Sequence, residues 1–214
     1  MFQSQSPQPR RPILAPNYPK VVLGLGAAIA IGSMVWFAAP HPYDIFIFNA
    51  AALIGGPGSD FLSKPLGPYA PYVFHAFLHG DLTHLLLNLF ALLVLGRSVA
   101  LAFGRSRAAA FGFLAFFFFC AIAGGVFQMF VFAVMGGGAA IGASSAISGL
   151  IPAFGYVRSG WSGAFGFGVG WFAINVAIAL FGESLGLPIA WAAHMGGLLA
   201  GFGFPVFLGL VRRA

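Results

Sequence analysis

Long charge-free apolar runs, separated by short polar or glycine-rich breaks, organise this chain. A bilayer core needs about 20 consecutive apolar residues per helix, and the runs can be measured against that length. Residues 21–39 make a first span, whose apolar run exceeds the roughly 7–15 residues of a signal-peptide core. Residues 82–103 make a second. The stretch 108–157 has no charge and is broken at Gly136-Gly137-Gly138, so it reads as two spans and a turn. A fifth span fits 163–181, between Arg158 and Glu183, and a sixth fits 187–211. Residues 40–80 mix apolar side chains with Pro, Gly, Asp44, Asp60 and Lys64, which predicts a segment lying at the membrane interface. No internal repeat is evident, which argues against a transporter built from inverted repeats.

Ahead of the first span, residues 1–20 carry Pro7, Pro9, Pro12, Pro16 and Pro19 among Gln and Ser. Such a segment cannot bury a core and reads as a disordered tail. Residues 21–214 then form one six-helix transmembrane domain. Composition agrees: the chain is 60% hydrophobic and 7% charged, where a soluble domain has about 25% charged residues. Its mean hydropathy is +0.95. The fold class is therefore an all-α membrane protein. A net charge of +6 raises the question of an anionic partner, but the basic residues punctuate spans and form no stripe interleaved with stacking aromatics, which excludes nucleic acid. With six spans, Arg10, Arg11, Lys20, Arg97, Arg105, Arg107, Arg158, Arg212 and Arg213 share one face and only Lys64 falls outside it. By the positive-inside rule both termini are cytoplasmic. A single cysteine, Cys120, allows no intramolecular disulfide and reads as a small buried hydrophobe.

Polar groups at membrane depth are costly without partners, so the few present are candidates for chemistry. Ser144, Ser145 and Ser148 follow a glycine-rich turn in GASSAISG. Ser144 and Ser148 are one helical turn apart on one face, and Ser145 is rotated away. The plain reading is helix packing through small residues. Ser144, however, opens a helix whose free backbone N–H groups suit a developing oxyanion. In AWAAHMGGLLAGF, Ala190, His194, Gly197 and Gly201 share a face that can pack almost backbone to backbone on the serine helix, bringing an imidazole beside Ser144 or Ser148. A hydroxyl and an imidazole are the nucleophile and base of acyl transfer. His84 and Asn88, four apart on the second helix, suit an oxyanion site, and Gln128 and Asn175 stand alone in the third and fifth spans. A metal site built from His75, His79, His84 and His194 is the weaker alternative, since no HExxH spacing occurs. No carboxylate is placed to complete a triad, so a Ser-His dyad with its imidazole oriented by packing is expected, and no metal or other cofactor is implied.

The fragments HGDLTHLLLNLFALLVLG, GASSAISG and AHMGGLLAG, in this order, resemble the rhomboid intramembrane serine proteases, with their HxxxN, GxSx and AHxxGxxxG patterns. The resemblance implies a six-helix rhomboid-like bundle with Ser144 as nucleophile, His194 as general base, and His84, Asn88 and the Ser144 amide as the oxyanion site. It implies cleavage of transmembrane protein substrates near the outer ends of their helices, within the lipid bilayer, and matches residues 40–80 to the family's first loop. Three positions depart from the common family pattern: Ser145 where Gly is frequent, Ser148 where an aromatic often stacks on the base, and Ala100 where an acidic residue is frequent. Ser148 is expected as a close-packing residue facing His194, and Ser145 as a neighbour that shares or disturbs the site. The competing functions are an inactive rhomboid-like binder of transmembrane helices and a small proton-conducting protein using His84 and His194. A bacterial cytoplasmic membrane is the expected location.

Overall fold

A computed structural model of the chain describes residues 18–38, 52–54, 66–136, 138–182, 184 and 189–213. The expected tail, apart from its last three residues, and most of the 40–80 segment fall outside these. In chain order the elements are α1 (Lys20–Phe37), β1 (Leu53–Ile54), a single-turn α2 (Pro71–Phe74) running into a 3-10 turn (His75–Phe77), α3 (Leu82–Phe103), α4 (Arg107–Met135), β2 (Ala139–Ala140), α5 (Ser144–Phe181), α6 (Trp191–Gly201) and α7 (Phe204–Arg213). Four of these, α1, α3, α4 and α5, are long and apolar enough to cross a membrane, and five spans result if α6 and α7, bent by 45°, count as one.

Local chemistry fixes the helix ends. Asp81 caps α3 by accepting from the His84 amide at 2.8 Å, and Ser106 caps α4 by accepting from the Ala109 amide at 3.0 Å. Each satisfies a first-turn N–H that has no partner within its helix. Gly104 and Gly136 end these helices at φ of 116° and 101°, which other residues rarely adopt. Beyond Gly136 the glycine-rich turn leads into β2, which pairs antiparallel with β1, Leu53 opposite Ala140 and Ile54 opposite Ala139. Two-residue strands leave no periodic signal, so hydropathy did not foretell this clasp between the first loop and the turn before Ser144.

α5 covers the expected fourth and fifth spans with a break at their boundary, and the sixth differs from expectation. α5 is broken at Ser159 (φ −149°, ψ 25°) and Gly160 (φ 62°, ψ −147°). Beyond the break its second arm folds back. Tyr156 meets Trp161 with ring centroids 5.4 Å apart, Phe154 meets Phe167 at 5.4 Å, and Trp171 Nε1 donates to Ser148 Oγ at 3.0 Å. Partners ever farther from the break on either side mean antiparallel arms. The expected sixth helix, 187–211, is instead two pieces. Pro205 has no N–H to give the Gly201 carbonyl and its ring crowds it, so the helix restarts at Phe204.

α6 lies between α4 and α5 at backbone contact. A Cβ on Gly197 would sit 1.8 Å from the Ser145 carbonyl oxygen, one on Gly201 2.3 Å from that of Gly149, and one on Gly196 2.6 Å from that of Ala123. The small stripe of AHMGGLLAG therefore packs on the serine helix as its spacing predicts, and small residues are what allow apolar helices to associate closely in lipid. At the far end of α3, the rings of Phe103, Phe116 and Phe204 cluster with centroids 5.3 to 6.4 Å apart. Against the second half of α3, Tyr18 is buried and donates its hydroxyl to the Leu93 carbonyl. Cys120 is buried, as expected.

Candidate active site

The first turn of α5 and the first turn of α6 converge. Ser144 Oγ lies 2.8 Å from His194 Nε2, and His194 is buried. Gln128 of α4 holds the α6 terminus in place, its Oε1 accepting from the Ala193 amide at 3.0 Å. That bond gives the lone glutamine a role the sequence did not reveal.

His84 approaches the same point from α3. A Cβ on Gly142 would lie 2.8 Å from both Cε1 and Nε2 of His84 and 3.7 Å from Ser144 Oγ. Gly142 also sits at φ +116°, so both backbone and space require glycine there. The Gly80 amide donates to His84 Nδ1 at 3.4 Å, which leaves the ring proton on Nε2, the atom facing Gly142. Asn88 is buried one turn further along α3. Its Nδ2 donates to the His84 carbonyl at 2.9 Å, using one of two amide hydrogens, and its Oδ1 is buried without a partner. The amides at the start of α5 divide. That of Gly142 donates to the His75 carbonyl at 2.8 Å and that of Ala143 to His79 Nε2 at 3.4 Å, whereas Ser144 has no carbonyl four residues back within the helix.

Ser145 points elsewhere. Its Oγ meets His75 Nε2 at 3.0 Å, and His75 Nδ1 donates to the Pro71 carbonyl at 2.9 Å. Nε2 therefore carries a lone pair, and Ser145 is the donor. Ser145 and His75 are 1% and 2% exposed, out of reach of a reactant. His79 binds Ser33 of α1 at 2.8 Å through Nδ1, and Ser33 passes its own hydrogen to the Phe77 carbonyl at 3.0 Å. Burial pushes His75 down to about 4, against the Pro71 and Tyr72 backbone bonds that raise it. It pushes His79 down to about 3, with the neighbouring His84 adding to the effect. Both rings are neutral ties between the first loop and the α5 entry. Among the described residues no three His, Cys, Asp or Glu side chains gather in metal-binding geometry.

Two residues the sequence left without a role complete the surroundings. Asn175 Oδ1 lies 2.9 Å from His194 Nδ1, and Asn175 Nδ2 donates to the Trp171 carbonyl at 2.9 Å. The expectation of an imidazole oriented by packing alone is corrected: an amide holds it. Ser148, expected to pack facing His194, has its hydroxyl bonded to two other groups. Its Oγ donates to the Ser144 carbonyl at 2.7 Å and accepts from the Trp171 indole at 3.0 Å. Trp171 in turn lies against His194, ring centroids 5.8 Å apart at 35°, supplying from the second arm the ring that the serine at 148 lacks. The available signal was the four-residue spacing of Trp171 and Asn175, which puts both on one helical face.

The family model for the Rhomboid domain matches residues 67–210, which includes α2 through most of α7 and every residue of the Ser144 site. No curated protein matches the chain. With three motifs in their order, apolar helices of spanning length and a domain match over two-thirds of its residues, the chain is a multi-pass membrane protein of the rhomboid family, whose members are generally intramembrane serine proteases.

Proposed function

We propose that this protein is an active intramembrane serine endopeptidase that hydrolyses peptide bonds in or beside the transmembrane helices of other membrane proteins. The contact of 2.8 Å between His194 Nε2 and Ser144 Oγ at a helix start carries this reading. Ser144 Oγ attacks the scissile carbonyl carbon as its proton passes to His194 Nε2. The oxyanion accepts from His84 Nε2–H, the free Asn88 amide hydrogen and the Ser144 amide. His194 then returns the proton to the leaving amine, and a water, deprotonated by the same ring, releases the new carboxyl group and restores Ser144. Donors aimed at the developing charge commonly supply the largest single part of such catalysis. The two arms of α5 are read as separate spans, giving six in all, with both termini cytoplasmic and residues 21–214 as one domain after the tail. The host is read as a bacterial cytoplasmic membrane.

A serine-reactive fluorophosphonate on the detergent-solubilised protein tests the assignment. Labelling and cleavage of a model transmembrane substrate are expected in the wild type and in Ser145→Ala, and to fall at least about 100-fold in Ser144→Ala and His194→Ala. Labelling that survives Ser144→Ala and disappears in Ser145→Ala would move the nucleophile. A wild type that binds a helix but neither labels nor cleaves it would establish the inactive, binding-only alternative.

A further inference from the structure

We infer that Asn175 is a positioning residue that fixes the tautomer of His194, through a chain of hydrogen bonds ending at the Trp171 carbonyl. The inference rests on the protease reading above and goes beyond it. The directions of the bonds follow from one end. A backbone carbonyl can only accept, so the Asn175 group bonded to the Trp171 oxygen at 2.9 Å is its NH₂. The other end of the amide, turned toward His194 Nδ1 at 2.9 Å, is then its oxygen, also an acceptor. His194 must therefore carry its proton on Nδ1. Nε2 is left with the lone pair, facing the Ser144 hydroxyl at 2.8 Å. Amide orientation and histidine tautomer are otherwise ambiguous from heavy atoms alone, and here the carbonyl removes the ambiguity for both.

The surroundings hold this arrangement rigid. Asn175 is 1% exposed, so water does not compete for its oxygen. Trp171 is held by Ser148 through the indole N–H, and Ser148 is bonded to the carbonyl of Ser144. The nucleophile, the base, the amide and the indole thus form one closed ring of contacts between the two arms of α5 and α6. When His194 takes the serine proton, its Nδ1–H remains bonded to an amide oxygen, which orients the imidazolium without placing a carboxylate among apolar helices, where a charge is costly. A wrong tautomer would present Nε2–H to the hydroxyl and leave no base.

The tautomer of His194 in protein labelled with ¹⁵N-histidine, its ring signals assigned by their loss in His194→Gln, tests this independently of activity. The wild type at neutral pH is expected to carry the proton on Nδ1. Asn175→Leu is expected to shift it toward Nε2 and to lower kcat by roughly 10- to 100-fold, with KM changed less than about twofold, since a base in the wrong tautomer forfeits much of the general-base contribution. Asn175→Asp, which keeps an acceptor in the same place, is expected to restore Nδ1–H and most of kcat. A wild type protonated on Nε2 overturns the inference whatever the variants do. So does an Asn175→Leu protein that keeps Nδ1–H, or one that loses kcat while Asn175→Asp fails to recover it. A wild type with Nδ1–H but no cleavage would instead count against the protease reading and leave the positioning role standing.

Discussion

At the scale of residues, adjacent serines have separate uses because a helix turns about 100° per residue. Ser144 faces His194 and Ser145 faces His75. The Ser145–His75 and Ala143–His79 ties need neutral rings, which makes acid sensitivity a test of them. Burial lowers His75 to about 4 and His79 to about 3, below the usual value near 6.5 that the unfolded chain restores. The unfolded state thus binds more protons between these limits. Stability from the neutral rings is complete above pH 6.5 and is lost as pH falls toward 4. The loss is expected to reach the order of a few kcal/mol by pH 4.5. The midpoint of thermal unfolding in detergent should be flat from pH 8 to 6.5 and then decline. A midpoint unchanged down to pH 4.5 would show that the two rings do not contribute as buried neutral groups.

At the scale of elements, backbone contact between α6 and α5 brings the base to the nucleophile. Since a Cβ on Gly197 would lie 1.8 Å from the Ser145 carbonyl oxygen, Gly197→Ala must push the helices apart, against backbone that cannot rotate out of the way. Overpacking of this kind costs about 1–3 kcal/mol. A displacement near 1 Å at the site lowers the rate about 100-fold. Gly209→Ala in α7, where a Cβ meets nothing within 4 Å, is the matched control and should leave both stability and cleavage unchanged. Equal behaviour of the two variants would sink the claim that this contact positions His194. The spacing of small residues made the packing legible in the sequence. The break at 159–160 and the bend before Pro205 were legible only as a span boundary and not at all, respectively, because backbone reversal depends on what each arm packs against.

At the scale of the whole molecule, the two arms of α5 decide the topology. If each crosses the membrane, Ser59 and Ser184 lie on the outer face and Ser159 on the cytoplasmic face with both termini. In a Cys120→Ala background, single cysteines placed by Ser59→Cys and Ser184→Cys should react with a membrane-impermeant maleimide in intact cells. Those placed by Ser6→Cys, Ser159→Cys and Ala214→Cys should react only once the membrane is opened. Labelling of Ser59→Cys and Ser184→Cys from opposite sides would make α5 a single crossing and end the six-span reading. The aromatic cluster of Phe103, Phe116 and Phe204 lies away from this question, at the end of α3 remote from His84, where it packs the bundle without touching the site.

The sequence by itself determined where the apolar helices run and which side chains could carry chemistry. Both are local properties: apolar run length, and the cost of placing a serine, histidine or asparagine at membrane depth, can be read without knowing what lies opposite. It also marked Ser144, His194, His84 and Asn88 by their motifs. Only the tertiary structure decided which hydroxyl meets which imidazole, since His75 reaches Ser145 across 70 residues and His194 reaches Ser144 across 50. Those pairings depend on how far each helix is rotated about its axis when glycine lets the backbones close. The same rotation brought Asn175 and Trp171, an isolated polar residue and an unremarked aromatic in the sequence, to the two sides of the proposed base.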